Sequence, residues 1–240
     1  MVVTPVGPQA QGKPGAPSNM EQVISMLAQE YGVPDWQPRR DPVSELIYTI
    51  LSQNTSDANS LRAYQRLEEA FGGWEAVARS SPTAIAKAIW LGGLARSKAP
   101  RIKQALQGII KRRGSLDLSF LEALPLAEAK AWLRQLPGVG PKTAACVLLF
   151  SLGRPALPVD THLYRLALRL GLLSKVSAEK AHQILEDMVP PGQVYQFHVN
   201  MVRHGRRICR AQRPHCPQCV LREICPSWPQ FWPGLVQEPR

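Results

Sequence analysis

The sequence predicts an all-α protein, and three observations carry that expectation. Apolar residues recur at helical spacing along most of the chain. The stretches that carry this spacing are bounded by residues that start and stop helices. Alternating apolar and polar runs between turn residues, the pattern of half-buried strands, are missing from the sequence.

Residues 1–18 are rich in Pro, Gly, Gln and Ala without apolar periodicity, and are expected to form a disordered tail. Asp41-Pro42 reads as an N-cap followed by proline at the first helical position. Val43, Leu46, Ile47, Ile50 and Leu51 then mark one face of a helix. Leu61, Tyr64, Leu67 and Phe71 mark the next, which Gly72-Gly73 stops. Ser81-Pro82 opens a third, with Ile85 and Ile89 inward. Lys98 to Arg113 forms a fourth, with Ile102, Leu106, Ile109 and Ile110 buried and its basic residues outside. Ala127 to Leu136 and Pro141 to Leu152 form a pair around the tight segment Leu136-Pro137-Gly138-Val139-Gly140. Thr161 to Leu170, Ala178 to Met188 and Val194 to Arg206 complete the set. The segment after Cys225, from Pro226 to Pro233, is too rich in proline for a helix, and its aromatic residues are expected to dock on the domain.

Apolar residues make up 45% of the 240 and charged residues 20%, which excludes a wholly disordered chain. The longest apolar stretch, 144–152, is too short to cross a bilayer. The N-terminus has no basic-then-apolar leader pattern, so secretion is not expected and a cytoplasmic protein is, nucleoid-associated if its polyanionic partner is DNA. Twenty-nine Lys and Arg against 18 Asp and Glu leave a net charge of +11. That excess favours a polyanionic partner, nucleic acid first and a membrane surface second. The plain alternative is a soluble enzyme that is merely basic.

Two motifs carry chemistry. In Leu136-Pro137-Gly138-Val139-Gly140-Pro141-Lys142 the two glycines permit a backbone conformation closed to residues with a Cβ, which gives a tight hairpin, and the N–H groups at the start of the next helix can meet a phosphate oxygen. A lone Gly-x-Gly is more often an ordinary helical corner. Of the five cysteines, Cys146 lies in an apolar run and reads as a buried thiol. The other four follow the spacing Cys209-x6-Cys216-x2-Cys219-x5-Cys225, in a loop that also holds Arg207, Arg210 and Arg213. Thiolates at this spacing suit zinc or an iron–sulfur cluster. Zinc sites more often show two Cys-x-x-Cys pairs, so the spacing tips toward iron–sulfur without settling it. A metal there would brace a basic loop against phosphates.

The hairpin with its Lys142-Thr143-Ala144, the segment Val159-Asp160-Thr161-His162, the segment His204-Gly205-Arg206 and the four-cysteine spacing together resemble the endonuclease III family of helix–hairpin–helix DNA glycosylases. The resemblance runs from about residue 20 to Cys225. It implies two helical lobes: a six-helix barrel over residues 35–154, and a second lobe from 19–34 and 155–226 that carries a 4Fe–4S cluster on Cys209, Cys216, Cys219 and Cys225. Residues 227–240 would be a tail. DNA would lie in the cleft between the lobes.

The same resemblance makes Lys142 the catalytic amine and Asp160 its carboxylate. An enzyme that removes a base and then nicks the strand needs an amine that forms a Schiff base at C1′. A nearby carboxylate stabilises positive charge on the sugar and moves protons. The plain alternatives are a phosphate contact for Lys142 and an N-cap for Asp160, which opens the helix at Thr161. Everting a base requires something to fill the gap it leaves. Family members do this from two loops that correspond here to Ser52-Gln53-Asn54-Thr55 and Gly93-Leu94, with Leu94 as the apolar wedge. Family members often have Gln where Asn54 stands, and Gln53 is one residue earlier. The implied function is excision of oxidised pyrimidines with lyase activity. The implied partner is damaged double-stranded DNA, bound through Gly138, Val139, Gly140, the two loops and the loop arginines. No membrane partner is expected, and the chain is expected to act as a monomer. Two alternatives stand beside it: a mismatch glycosylase for adenine or thymine, and a non-catalytic DNA-binding protein with structural zinc.

Overall fold

The computed structural model describes residues 19–232. The expected tail over 1–18, like residues 233–240, lies outside the described residues. Described residues form α-helices and short 3-10 turns, with no strand among them.

Asp41 caps α2 (Pro42–Ser52), as its sequence implies: its carboxylate accepts from the N–H groups of Val43 and Ser44, both at 3.0 Å. Ser56 opens α3 (Asp57–Phe71), which Gly72 ends at φ +67. The buried stripe of α3 is Ser60, Ala63, Tyr64 and Leu67. Leu61 stands one position off that stripe and is 42% exposed, which corrects its expected place on the inner face. Gly73 then starts α4 (Trp74–Arg79), a helix that the sequence pattern does not mark because the glycine pair reads only as a stop. Ser81 caps α5 (Pro82–Ala88).

The next helix, α6 (Ala95–Arg113), begins before the expected Lys98 and runs through Pro100. Lys98 is corrected as well. It is not among the outward basic residues but is 1% exposed. The paired helices are α7 (Leu126–Arg134) and α8 (Pro141–Leu152). These are followed by α9 (Thr161–Arg169), α10 (Ala178–Met188) and α11 (Val194–Arg207). The N-terminal helix α1 (Asn19–Tyr31) packs against α11, where the Asn200 side-chain amide donates to the carbonyl of Gly32 at 2.9 Å. Despite its prolines, the final segment forms one helical turn, α12 (Trp228–Phe231), because Pro229 falls in the first turn, where its missing N–H costs nothing. Its aromatics do dock: Trp232 Nε1 donates to the carbonyl of Pro214 at 3.2 Å, and the Arg169 guanidinium lies 4.4 Å from the Phe231 ring centroid.

Two hydrophobic cores organise these helices. One gathers residues of α2 to α8, from Val43 to Ala156. The other joins α1 to α9, α10, α11 and Leu221. Helix α8 serves both. Its Ala144, Ala145, Val147 and Leu148 face the first core, while Cys146, Leu149 and Phe150 face the second. Every residue from Thr143 to Ser151 is buried, which explains why α8 is apolar all round rather than amphipathic.

Candidate active site

The hairpin between α7 and α8 closes on a Val139 N–H to Leu136 carbonyl bond of 3.1 Å. Leu136 and Val139 turn inward and hold the turn against the core. Gly138 needs to be glycine twice over. Its φ is +79, and an added Cβ would stand 3.2 Å from the Arg101 side chain. Gly140 is different, and the expectation of a backbone closed to other residues is corrected there. At φ −92 and ψ −178 it is extended backbone that any residue adopts, with open space where a Cβ would point. That space lies before α8, whose first turn has no side-chain cap. An anion placed there would meet uncapped N–H groups, with the positive end of the helix dipole behind them.

Lys142 is the second residue of α8, and Asp160 is the N-cap of α9, its Oδ1 accepting from the Leu163 N–H at 2.8 Å. The capping role of Asp160 is therefore real. Lys142 and Asp160 also line one cleft of about 500 Å³. Arg39, Arg203, Arg206 and Arg207 line it too. The Arg39 guanidinium lies 3.6 Å from the centre of the Phe150 ring, and that ring meets His198 edge-on at 5.4 Å. His198 Nδ1–H donates to the carbonyl of Pro158 at 2.9 Å, which fixes its tautomer. Burial pushes the His198 pKa down to about 4, so the ring facing Asp160 is neutral. Burial likewise pushes the Cys146 thiol up to about 11, in keeping with a packed thiol rather than a nucleophile. Glu45 is buried in the cleft wall, with Arg40 at 3.2 Å; burial holds its pKa above the usual carboxylate value.

The two loops meet beside the hairpin. Gln53 Nε2 donates to Thr143 Oγ1 at 3.4 Å, next to Lys142. Asn54 is exposed at φ +53, and Leu94 is 57% exposed at φ +50. With Arg213 at φ +48 they are the only non-glycine residues of positive φ among those described. All three are DNA-contact candidates from the sequence, and left-handed backbone outside glycine concentrates at functional sites.

Of the loop arginines, Arg207 reaches the cleft. Arg213 borders a separate surface depression with Trp232, and Arg210 is exposed. The four clustered cysteines ring one small cavity of about 20 Å³, also lined by Arg169 and Trp228. Among the described residues, no three His, Cys, Asp or Glu side chains are gathered to hold a single metal ion. Burial raises the pKa of Cys216 and Cys225, and pushes Cys219 up to about 12; the charges of neighbouring thiolates act in the same direction. Arg169 Nη1 stands 3.2 Å from Cys209 Sγ, and His204 Nε2 stands 3.3 Å from Cys219 Sγ.

The comparisons with known proteins decide the family. The sequence profile of the HhH-GPD superfamily of base excision DNA repair proteins matches residues 47–191. Endonuclease III of Thermotoga maritima is 35% identical over 197 residues, covering 82% of this chain and 88% of that protein. This chain belongs to the endonuclease III family. The family member from Sulfolobus acidocaldarius is 30% identical over 189 residues, covering 78% and 82% of the two chains. A trapped endonuclease III–DNA covalent intermediate superposes with a TM-score of 0.75 at 28% identity, over 86% of this chain and 93% of that one. A thermostable thymine-DNA glycosylase shares the fold at a TM-score of 0.74 and 22% identity, over 88% and 97%. As an endonuclease III family member the chain is a base-excision DNA glycosylase, and no helix of the described residues is long and apolar enough to cross a membrane.

Sequence reasoning missed several residues of this endonuclease III-type site. Arg39 and Arg203 enter the cleft from segments without a motif, and Arg206, although part of the His204-Gly205-Arg206 segment, was assigned no role there. Arg206 pairs with Asp57 at 2.6 Å, tying α11 to the start of α3 across it. Arg165 and Arg169 were legible in principle. They are four apart on α9, and both reach the cysteine loop, with Arg165 Nη2 donating to the carbonyl of Cys209 at 2.8 Å.

Proposed function

We propose that the chain is a bifunctional glycosylase and apurinic/apyrimidinic lyase that removes oxidised pyrimidines from duplex DNA. The observation that carries this reading is that Lys142 and Asp160, from two different helix starts, line one cleft. The neutral amine of Lys142 attacks C1′ and displaces the base, which leaves with the electron pair of the glycosidic bond. The covalent sugar intermediate then opens to a Schiff base. Loss of a C2′ proton expels the 3′ phosphate and nicks the strand. Asp160 carries protons between these steps and offsets the charge on the sugar. Gly138 and Gly140, with Val139 packed beneath them, bring the phosphate backbone to the start of α8. Gln53, Asn54 and Leu94 fill the gap left by the everted base, and Arg207, Arg210 and Arg213 meet phosphates. The two cores correspond in this reading to the two lobes of the family.

Cys209, Cys216, Cys219 and Cys225 are proposed to hold a 4Fe–4S cluster. Four thiols around one cavity, too dispersed for a single ion, fit a four-cornered cluster better than zinc, whose sulfurs all sit about 2.3 Å from one centre. Bound there, the cluster would supply the positive charge that four thiolates, partly or wholly buried, need, and would brace the loop.

The test is single-turnover excision, with borohydride trapping, on a panel of duplexes carrying oxidised pyrimidines, an adenine mispair and a thymine mispair, all at fixed salt. The reading requires trapping and fastest release of the oxidised pyrimidines. Faster release from either mispair, or release without trapping, replaces it with a mismatch glycosylase.

A further inference from the structure

Both loops assigned to the everted-base gap rest on left-handed backbone, at Asn54 and at Leu94. They also touch. A Cβ on Gly93 would stand 3.9 Å from Thr55 Oγ1. The turn before Leu94 is seated on α3, since a Cβ at Gly92 would come within 2.9 Å of the Ala63 Cβ. Beneath this junction lies the side chain of Lys98, 1% exposed and among the largest wholly buried side chains described. Its Nζ donates to the carbonyl of Leu51 at 2.7 Å and to the carbonyl of Gly92 at 2.8 Å.

Those two carbonyls belong to different loops. Leu51 lies in the last turn of α2, where the chain leaves for Gln53 and Asn54. Gly92 closes the 3-10 turn that delivers Leu94. Terminal carbonyls lack helical N–H partners and carry the negative end of the backbone dipole, which suits a cation. Lys98 forms no ion pair with a carboxylate among the described residues. A buried ammonium compensated only by carbonyls is a costly way to fill a core position that Leu or Met fills more cheaply. The placement makes sense if the bonds to the two loops are its purpose.

We propose that Lys98 is a positioning residue for base eversion. Its ammonium clasps the end of α2 to the turn before Leu94, so that Asn54 and Leu94 enter the duplex as one unit. This rests on the reading of those loops as the parts that enter the duplex. Lys98 is too deep to touch DNA, so its effect passes through the loops alone.

The test compares wild type, Leu94→Ala, Lys98→Met and the double variant on two substrates: a stacked, paired oxidised pyrimidine and a preformed abasic site. Misplacing reacting groups by an ångström can cost about a hundredfold, so Lys98→Met should slow excision of the paired lesion by roughly tenfold or more. Nicking at the abasic site, where no base needs everting, should change by less than about twofold. The double variant should be no slower than the slower single variant. Amide hydrogen exchange should rise together at 52–55 and 92–95 while Ile102 to Ile109 stays protected, which also shows that the barrel is folded. If Lys98→Met does not fold, Lys98→Gln, polar but one atom too short to reach both carbonyls, carries the same comparison. Equal losses on both substrates, full additivity with Leu94→Ala, or exchange rising in one loop alone would overturn the clasp. If Leu94→Ala itself slows both reactions equally, the duplex-entry reading fails, and eversion fails with it as the purpose of Lys98.

Discussion

Lys142 and Asp160 occupy the first turn of one helix and the cap of another, at backbone angles open to any residue. Asn54 and Leu94 occupy loop ends at φ +53 and +50, left-handed backbone that suits glycine, is tolerated by asparagine and strains leucine. The two regions are joined by the Gln53–Thr143 bond, yet they are built in opposite ways. Chemistry in a cleft asks only that a side chain be held still, and a buried helix such as α8 does that without strain. Entering a base stack asks the chain to project where no helix reaches. A left-handed non-glycine residue there costs about 1–3 kcal/mol. The first kind of residue should therefore be separable from stability, and the second should not.

The largest separation is expected at Lys142. Lys142→Gln removes the amine but keeps polarity and length at an unstrained, half-buried site. Borohydride trapping and strand nicking should fall below detection, while affinity for damaged duplex changes by less than roughly tenfold, one phosphate-scale contact among many. Covalent trapping that persists in this variant would assign the nucleophile to another amine. Asp160→Asn comes next. Asn caps helices as well as Asp, so the free energy of unfolding in urea should stay within about 0.5 kcal/mol of wild type. Excision should drop by roughly 10²–10³-fold, as when one preorganised charge-stabilising group is lost. A variant that unfolds, or one that keeps its full rate, would reduce Asp160 to the cap seen in the structure.

The hairpin offers the same contrast within three residues. Gly138→Ala forces a Cβ into left-handed backbone against Arg101, and should cost about 1–2 kcal/mol of stability. Gly140→Ala should leave stability within about 0.5 kcal/mol and weaken binding to damaged and undamaged duplex alike, because the Cβ stands where a phosphate would approach. Equal destabilisation by both would show that Gly140 is a fold residue after all. The smallest effect has the opposite sign. Leu94→Gly relieves left-handed strain but adds freedom to the unfolded chain, so it should raise stability by about 0.5–1 kcal/mol while slowing excision of a stacked lesion. A destabilised Leu94→Gly would mean that the Leu94 side chain packs in the fold instead of standing ready for the duplex.

What could be read from the sequence follows the same division. The Asp41-Pro42 start and the cap at Asp160 were legible because each is a local arrangement of a side chain with the next few N–H groups, and the hairpin because its Gly138 and its 136–139 backbone bond are local too. Helix α4 was not, because six residues are too few to show a period and the glycines before it read as a stop. Lys98 was hidden for another reason. On α6 it looks like any of the neighbouring basic residues, and what buries it is a carbonyl 47 residues away. The cleft arginines share that difficulty, since Arg206 meets its partner Asp57 at a separation of 149 residues. Left-handed backbone at Leu94 also lacks a sequence sign, because Leu has no intrinsic preference for it.

The pairing of α1 with α11 has a consequence for how the protein is made. Asn200 bonds to Leu27 across 173 residues, so α1, the first of the described helices to be synthesised, is among the last to find its partner. At about 5–20 residues per second, α1 waits roughly 9–35 s with Val23, Ile24 and Leu27 uncovered. Over that interval the first core, from Val43 to Ala156, is synthesised whole and is free to fold from contacts nearer in sequence. Helix α8 then presents Cys146, Leu149 and Phe150 as a finished apolar surface on which the remaining helices and α1 can gather. Truncated nascent chains ending just after α8 should already protect the first core from protease while α1 is still cut.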